Sequence, residues 1–137
     1  MPPVVVDASV ALVWCFPDED NELAGRALRT AAEQGVVVPA VWPYEMANSL
    51  RSGVRRDRLT MGDLPGVLRL FERLEVQTVD LSLRELTQSV MALSLAHNLS
   101  AYDASYLHVA LSESLPLVTL DSRLREAAEA AGCAVFR

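Results

Sequence analysis

The sequence predicts an α/β protein, an α/β/α sandwich in which helices cover both faces of a central parallel sheet of four to five short strands. Three observations carry this reading. Val4-Val5-Val6 and Val36-Val37-Val38 are runs of β-branched residues with no polar residue to mark a solvent face, as fully buried short strands require. Segments with helical spacing of apolar residues separate these runs from each other and from two later ones, residues 76–79 and 117–120. No tight hairpin signal joins neighbouring runs, so crossovers must connect them, and crossovers give a parallel sheet.

Each element has a local cause. The first strand runs into Asp7-Ala8-Ser9, where Ser9 is the expected N-cap of a helix that Pro17 stops after about Phe16. The acidic run Asp18-Glu19-Asp20-Asn21-Glu22 precedes Leu23, Ala24, Ala27, Leu28 and Ala31; it reads as the negatively charged start of a second helix, which Gly35 ends. After the second strand, Pro39 and Pro43 frame a turn carrying Trp42. The next helix holds Glu45, Asn48, Ser49 and Ser52 within about 100° of one another, with Arg56 almost in line about 16 Å farther along the axis. Residues 60–74 form its partner in a helical hairpin inserted between strands two and three, with Thr60 and Asp63 as alternative caps. Strand three, Val76-Gln77-Thr78-Val79, is expected to be half buried. Residues 83–97 are helical, 98–101 are a break, and Tyr102-Asp103-Ala104 opens a helix that Pro116 stops. Residues 117–120 are strand four with Asp121 at its end; residues 124–131 are a closing helix ended by Gly132, and Ala134-Val135-Phe136 is a short last strand.

Composition narrows the function. With 137 residues and a hydrophobic fraction of 51%, residues 1–137 are expected to form a single domain with a real core. The net charge of -6 advertises no general nucleic-acid binder, although a compact acidic site beside a local basic patch satisfies the same total. All 12 basic residues are Arg, which removes Schiff-base chemistry and every phosphate site that needs a Lys amine. Cys15 and Cys133 have neither redox nor zinc spacing and read as small buried hydrophobes, and His97 and His108 form no ligand pattern. The apolar N-terminus lacks a basic leader and is interrupted by Asp7, so a cytoplasmic protein with no signal peptide and no membrane span is expected.

Most of the 18 acidic residues fall on exposed helix faces. Four do not. Asp7 and Asp121 end apolar strands, while Glu45 and Asp103 lie in the first turns of helices. With right-handed crossovers, strand C-termini and helix N-termini share one edge of the sheet, so the four carboxylates meet there. Taken singly, Asp103 and Asp121 read as helix caps. Together, and without any Lys, four carboxylates repel one another and call for a divalent cation, a hard one given oxygen-only ligands: Mg²⁺ or Mn²⁺. Such ions serve phosphoryl transfer and phosphodiester hydrolysis.

Four motifs in order, VVDASV, PYEMANSL with its E-x-x-N helix, YDASYLHVAL, and LVTLDSRL followed by AAEAAG, resemble PIN-domain ribonucleases, most closely VapC-type toxins of bacterial toxin–antitoxin pairs. The resemblance runs through nearly the whole chain. It implies an acidic quartet at Asp7, Glu45, Asp103 and Asp121 acting as both metal ligands and catalytic groups. It also implies supporting hydroxyls at Ser9 and Thr119, a polar position at Asn48, and a central first strand lying beside the fourth. The expected activity is endonucleolytic RNA cleavage by a metal-activated water, leaving a 5′ phosphate, with Glu45 and Asp121 both able to orient the water. Arg51, Arg55 and Arg56 are candidate RNA contacts; a solvated helix end explains them equally well. The expected partners are RNA, a cognate antitoxin lying in a groove near the site, and a second copy in a homodimer. Trp14, Phe16, Trp42 and the Met and Leu positions after Thr60 are the candidate surfaces. A receiver- or phosphatase-like phosphoacceptor, and a catalytically silent binding module of the same fold, stand as alternatives.

Overall fold

Val4–Val6 (β1) and Val36–Pro39 (β2) lie side by side and parallel, Val4 opposite Val36 and Val5 opposite Val37. The computed structural model describes residues 2–137 and completes the sheet with Val76–Val79 (β3) and Leu117–Val118 (β4). The order is β3-β2-β1-β4, all parallel, so β1 is central beside the fourth strand. All three valines of β1 are fully buried, each contributing about 1.5–3 kcal/mol of apolar burial. Strand β3 is the edge, where Gln77 and Thr78 are exposed and only Val76 and Val79 are half buried.

The helices are Ala8–Val13 (α1), Glu22–Gln34 (α2), Trp42–Arg55 (α3), Leu64–Arg73 (α4), Leu83–Glu85 (α5), Met91–His97 (α6), Ala101–Glu113 (α7) and Ser122–Ala130 (α8). Helix α7 packs across β1, β2 and β4, and α2 packs on β1. The chain winds outward from β1 through β2 to β3, then returns by α5–α7 to β4 on the other side of β1. The switch point therefore falls between β1 and β4, and ligands in such sheets bind beyond the strand C-termini at that crevice. Both cysteines are free and buried, and among the described residues no helix is long and apolar enough to cross a membrane.

Several element ends differ from expectation, each for a physical reason. Asp7, not Ser9, caps α1: its Oδ1 accepts from the Val10 N–H at 3.2 Å. The helix ends at Val13 rather than near Phe16, and just beyond it Trp14 Nε1 donates to the Ala24 carbonyl at 2.8 Å, pinning the loop to α2. Asn21 caps α2, while Asp18 and Glu19 turn away to Arg58 at 3.1 and 3.3 Å. Trp42 is not in a turn but is the buried first residue of α3, with Pro43 in the first turn where no N–H is needed. Thr60 and Asp63 act together rather than as alternatives: the Asp63 carboxylate accepts from both the backbone N–H and the hydroxyl of Thr60, opening a 3-10 turn before α4. Residues 83–97 are helical throughout, but a π turn at Leu86–Val90 interrupts the α geometry. Strand β4 stops at Val118, α8 begins at Ser122, and the last strand is reduced to a single bridge between Leu117 and Val135.

Candidate active site

Asp7 leaves β1 at its C-terminal end and is buried, which fixes its carboxylate among donors rather than in water. Oδ1 accepts from the Ser9 hydroxyl at 2.6 Å and from the Val10 N–H, and Oδ2 accepts from the Thr119 hydroxyl. Those donors stabilise the charge, yet burial outweighs them, with Asp103 adding repulsion, and the Asp7 carboxyl is pushed up to about 6. Thr119 is itself buried, just past β4, and its Oγ1 accepts from the Asp121 N–H at 3.0 Å. Ser9 accepts from the Leu120 N–H at 3.1 Å. Two hydroxyls thus stitch the end of β1 to the end of β4, which is why β4 is short: Thr119 leaves the ladder to reach Asp7.

The other three acids come from helix starts. Glu45 lies in the first turn of α3 and accepts the phenol proton of Tyr106 at 2.5 Å. Burial raises its pKa; the Tyr106 hydrogen bond lowers it and Asp103 raises it further. Asp103 lies in the first turn of α7, where Ser100 is the cap and donates no charge of its own. Its carboxyl is raised first by burial and then by Asp121. Asp121 caps α8, its Oδ1 accepting from the Arg123 N–H at 2.9 Å and the Leu124 N–H at 3.4 Å. Asp103 therefore raises Asp7 and Glu45 and is itself raised by Asp121, and none of the four forms a salt bridge among the described residues.

This donor set suits a hard divalent cation: carboxylate oxygens only, three of them held above their ordinary pKa by burial and mutual repulsion. Among the described residues, no group of three or more His, Cys, Asp or Glu side chains is close enough to enclose an ion. The arrangement fits an ion held directly by no more than two of these carboxylates and completed by water, the habit of Mg²⁺.

The remaining residues expected at the site divide. Ser9 and Thr119 are directly bonded to Asp7, whereas Asn48 is exposed, one turn beyond Glu45. Arg55 and Arg56 line a hollow with Ser52, and Arg51 and Arg55 border an apolar groove on the other side of α3. Arg58, just beyond α3, is taken up by Asp18, Glu19 and the Phe16 ring. Tyr106 was not legible as a site residue: its helical spacing reads as core, and its hydroxyl partner lies 61 residues away.

The chain is similar to known proteins over nearly its whole length. The PIN domain family model matches residues 4–130, and the chain belongs to this family. Within it the chain is similar to VapC ribonucleases: Ribonuclease VapC3 of Pyrobaculum aerophilum is 36% identical over 129 residues, covering 90% of this chain and 92% of that protein. Ribonuclease VapC9 of Mycobacterium tuberculosis is 36% identical over 128 residues, covering 93% and 92%. The fold matches the crystal structure of PAE2754 from Pyrobaculum aerophilum, with a TM-score of 0.64, 23% identity and coverage of 92% of this chain and 86% of that one. It also matches FitAcB from Neisseria gonorrhoeae, with a TM-score of 0.59, 19% identity and coverage of 98% and 96%. The motif resemblance and the α/β sandwich are both borne out at this level.

Proposed function

We propose that the protein is an endoribonuclease dependent on Mg²⁺ or Mn²⁺, acting as the toxin of a toxin–antitoxin pair in the cytoplasm. The observation that carries the reading is Asp7: a buried carboxylate with three hydrogen-bond donors, no cationic partner among the described residues, and a pKa of about 6. Such a group is costly to hold ionised unless a cation joins it. Asp7 would hold the ion, and Glu45, Asp103 and Asp121 would complete its site directly or through its waters. When bound, the ion supplies Lewis acidity at the scissile phosphate and a water of lowered pKa.

The chain's own residues do the rest. Ser9 and Thr119 fix the plane of the Asp7 carboxylate, and Tyr106 fixes Glu45. Glu45 and Asp121 would orient the water and take its proton. Arg55 and Arg56 contact RNA phosphates, and Arg51 lies beside the apolar groove.

Two surfaces support the proposed protein partners. Between α3 and α4 lies a groove of about 810 Å³ lined by Trp42, Met46, Leu50, Val54, Leu64 and Phe71 among others, suited to the apolar face of an antitoxin segment. Met61 and Leu68 at that groove are exposed. A separate exposed apolar row, Leu83, Leu86, Met91 and Leu95, supports a homodimer. The names of the VapC relatives support the ribonuclease assignment, and the fold of FitAcB extends over nearly the whole chain.

The test is cleavage of RNA by the wild type and by Asp7→Asn, each with Mg²⁺, with Mn²⁺ and with EDTA. Cleavage by the wild type with either ion, lost with EDTA and lost in Asp7→Asn, is the expected result. Equal cleavage by both proteins, or cleavage indifferent to EDTA, overturns it.

A further inference from the structure

The polar stripe on α3 does not end at the acids. Beside them, between α1 and the middle of α3, lies a hollow of about 330 Å³ whose walls include Ser9, Ser49, Ser52, Arg56 and Arg58. Ser9 is the residue bonded to Asp7, so the hollow opens directly beside the acidic centre. Ser52 and Arg56 also belong to an adjoining hollow of about 250 Å³ shared with Arg55, and the two continue one another along the helix. This path is mixed, with Leu12, Phe16 and Glu19 beside the hydroxyls and guanidinium groups, whereas the groove lined by Trp42 and Met46 is almost wholly apolar.

Three features suit it to one nucleotide. Its size lies at the small end of the range for small-molecule sites, about 300–1,000 Å³, enough for a nucleotide and too little for a folded protein element. Arg56 is exposed and forms no salt bridge among the described residues, so its charge is available to a phosphate. Arg58 is the opposite. Its guanidinium sits 4.2 Å from the Phe16 ring centroid and is bound by Asp18 and Glu19, which makes it a rigid planar wall. Single-stranded RNA is read in this way, with bases stacked on aromatic or guanidinium planes and their edges hydrogen-bonded by short polar side chains.

Gly53 keeps the wall in place. A Cβ there would stand 2.3 Å from Phe16 Cε1, so only glycine lets the ring lie against α3 under Arg58. The acidic run after α1 is thereby explained as well. Asp18 and Glu19 hold Arg58 at the hollow rather than serving the next helix.

From this we infer that the hollow between α1 and α3 is the subsite for the nucleotide flanking the scissile phosphate. Arg56 holds its phosphate, Arg58 stacks on its base, and Ser49 and Ser52 read its edge. The inference rests on the ribonuclease reading and deepens it by naming the residues that discriminate bases.

The experiment maps fragment ends on a randomised RNA pool cut by the wild type, by the double variant Ser49→Ala/Ser52→Ala, and by Arg56→Ala. Alanine suits a helix, so the double variant is expected to fold, and its melting curve checks this. Base preference at a single position beside the cut should flatten by about fivefold or more in the double variant. Arg56→Ala should lower cleavage of all sequences alike and reduce its salt dependence. If the wild type cuts RNA and the double variant keeps the same preference at every position, the subsite assignment is wrong. A preference altered equally at many positions overturns it too. A wild type that cuts no RNA under any divalent ion would instead remove the ribonuclease reading beneath it.

Discussion

Tyr106 and Glu45, 61 residues apart, are joined by a 2.5 Å hydrogen bond from the phenol to Oε1. The ring, carried by α7, is fully buried, so its hydroxyl has a fixed position, and burial beside the acids holds the phenol protonated as a donor. Glu45 gains a fixed rotamer from this contact, and its charge gains a donor that partly offsets burial. A long carboxylate side chain at a helix start otherwise has three torsions to sample. The contact converts it into a preorganised group.

Tyr106→Phe should therefore act on the chemistry more than on the fold. Loss of a hydrogen bond to a charged group costs about 1.5–3 kcal/mol, which predicts a fall in cleavage rate of about tenfold or more. The acid limb of the pH–rate profile should also move to higher pH, because the donor that lowers the Glu45 pKa is gone while burial and Asp103 remain. A rate measured from pH 5 to 8 checks both. An unchanged profile would mean that Glu45 takes no part in the ionisation that limits the rate.

Asp7 makes a prediction of the opposite kind, in stability. Burial raises its carboxyl from 3.8 to about 6. Between those values the folded protein binds more protons than the unfolded chain, so stability is greatest below about pH 4 for this group and is lost as pH rises through about 6. The loss is on the order of 2–3 kcal/mol. In EDTA, melting curves at pH 6.5–8 should show Asp7→Asn more stable than the wild type. Added Mg²⁺ should raise the wild-type melting temperature at that pH and leave Asp7→Asn where it was. If Mg²⁺ stabilises both proteins equally, Asp7 is not its ligand.

The parts of this molecule legible in the sequence are those with a local cause. Valine triplets announced β1 and β2 because β-branching suits a buried pleat, and the acids were found because strand ends and helix starts share an edge. What escaped depends on contacts distant in the chain. Whether Asp7 or Ser9 caps α1 is decided by Thr119, 112 residues away, which draws the Asp7 carboxylate inward. The acidic run reads as a helix start until Arg58, 40 residues on, takes Asp18. Tyr106 reads as core by spacing, and most of it is; only its hydroxyl belongs to the site. The π turn at Leu86–Val90 has no sequence signal that periodicity would reveal.

The apolar row on α5, the π turn and α6 predicts an assembly. Leu83 and Leu95 are 76% and 78% exposed, and Met91 between them is 48% exposed, a strip that water covers at a cost unless another surface does. Leu95→Glu places a charge in the strip without touching the acids or the core. Size-exclusion chromatography with light scattering should give a dimer for the wild type and a monomer for the variant. Identical masses for the two would move the dimer surface elsewhere.

Gly53 is a stability test in which two effects of known sign compete. Alanine is better than glycine inside a helix by about 1 kcal/mol, so Gly53→Ala in an unobstructed helix would be stabilising. Here the new methyl meets Phe16 Cε1 at 2.3 Å and Cζ at 2.7 Å. The ring cannot simply swing out, because it is buried beneath Arg58, which Asp18 and Glu19 hold. Overpacking of this kind costs about 1–3 kcal/mol, and pushing the ring away also loosens the Arg58 clamp. The steric term therefore wins, and urea unfolding should show a net loss of about 1–2 kcal/mol. Gly25, also helical but with no atom within 4 Å of an added Cβ, is the control: Gly25→Ala should be neutral or stabilising. Two variants with the same substitution and opposite signs would locate the effect in the Phe16 contact rather than in helix propensity.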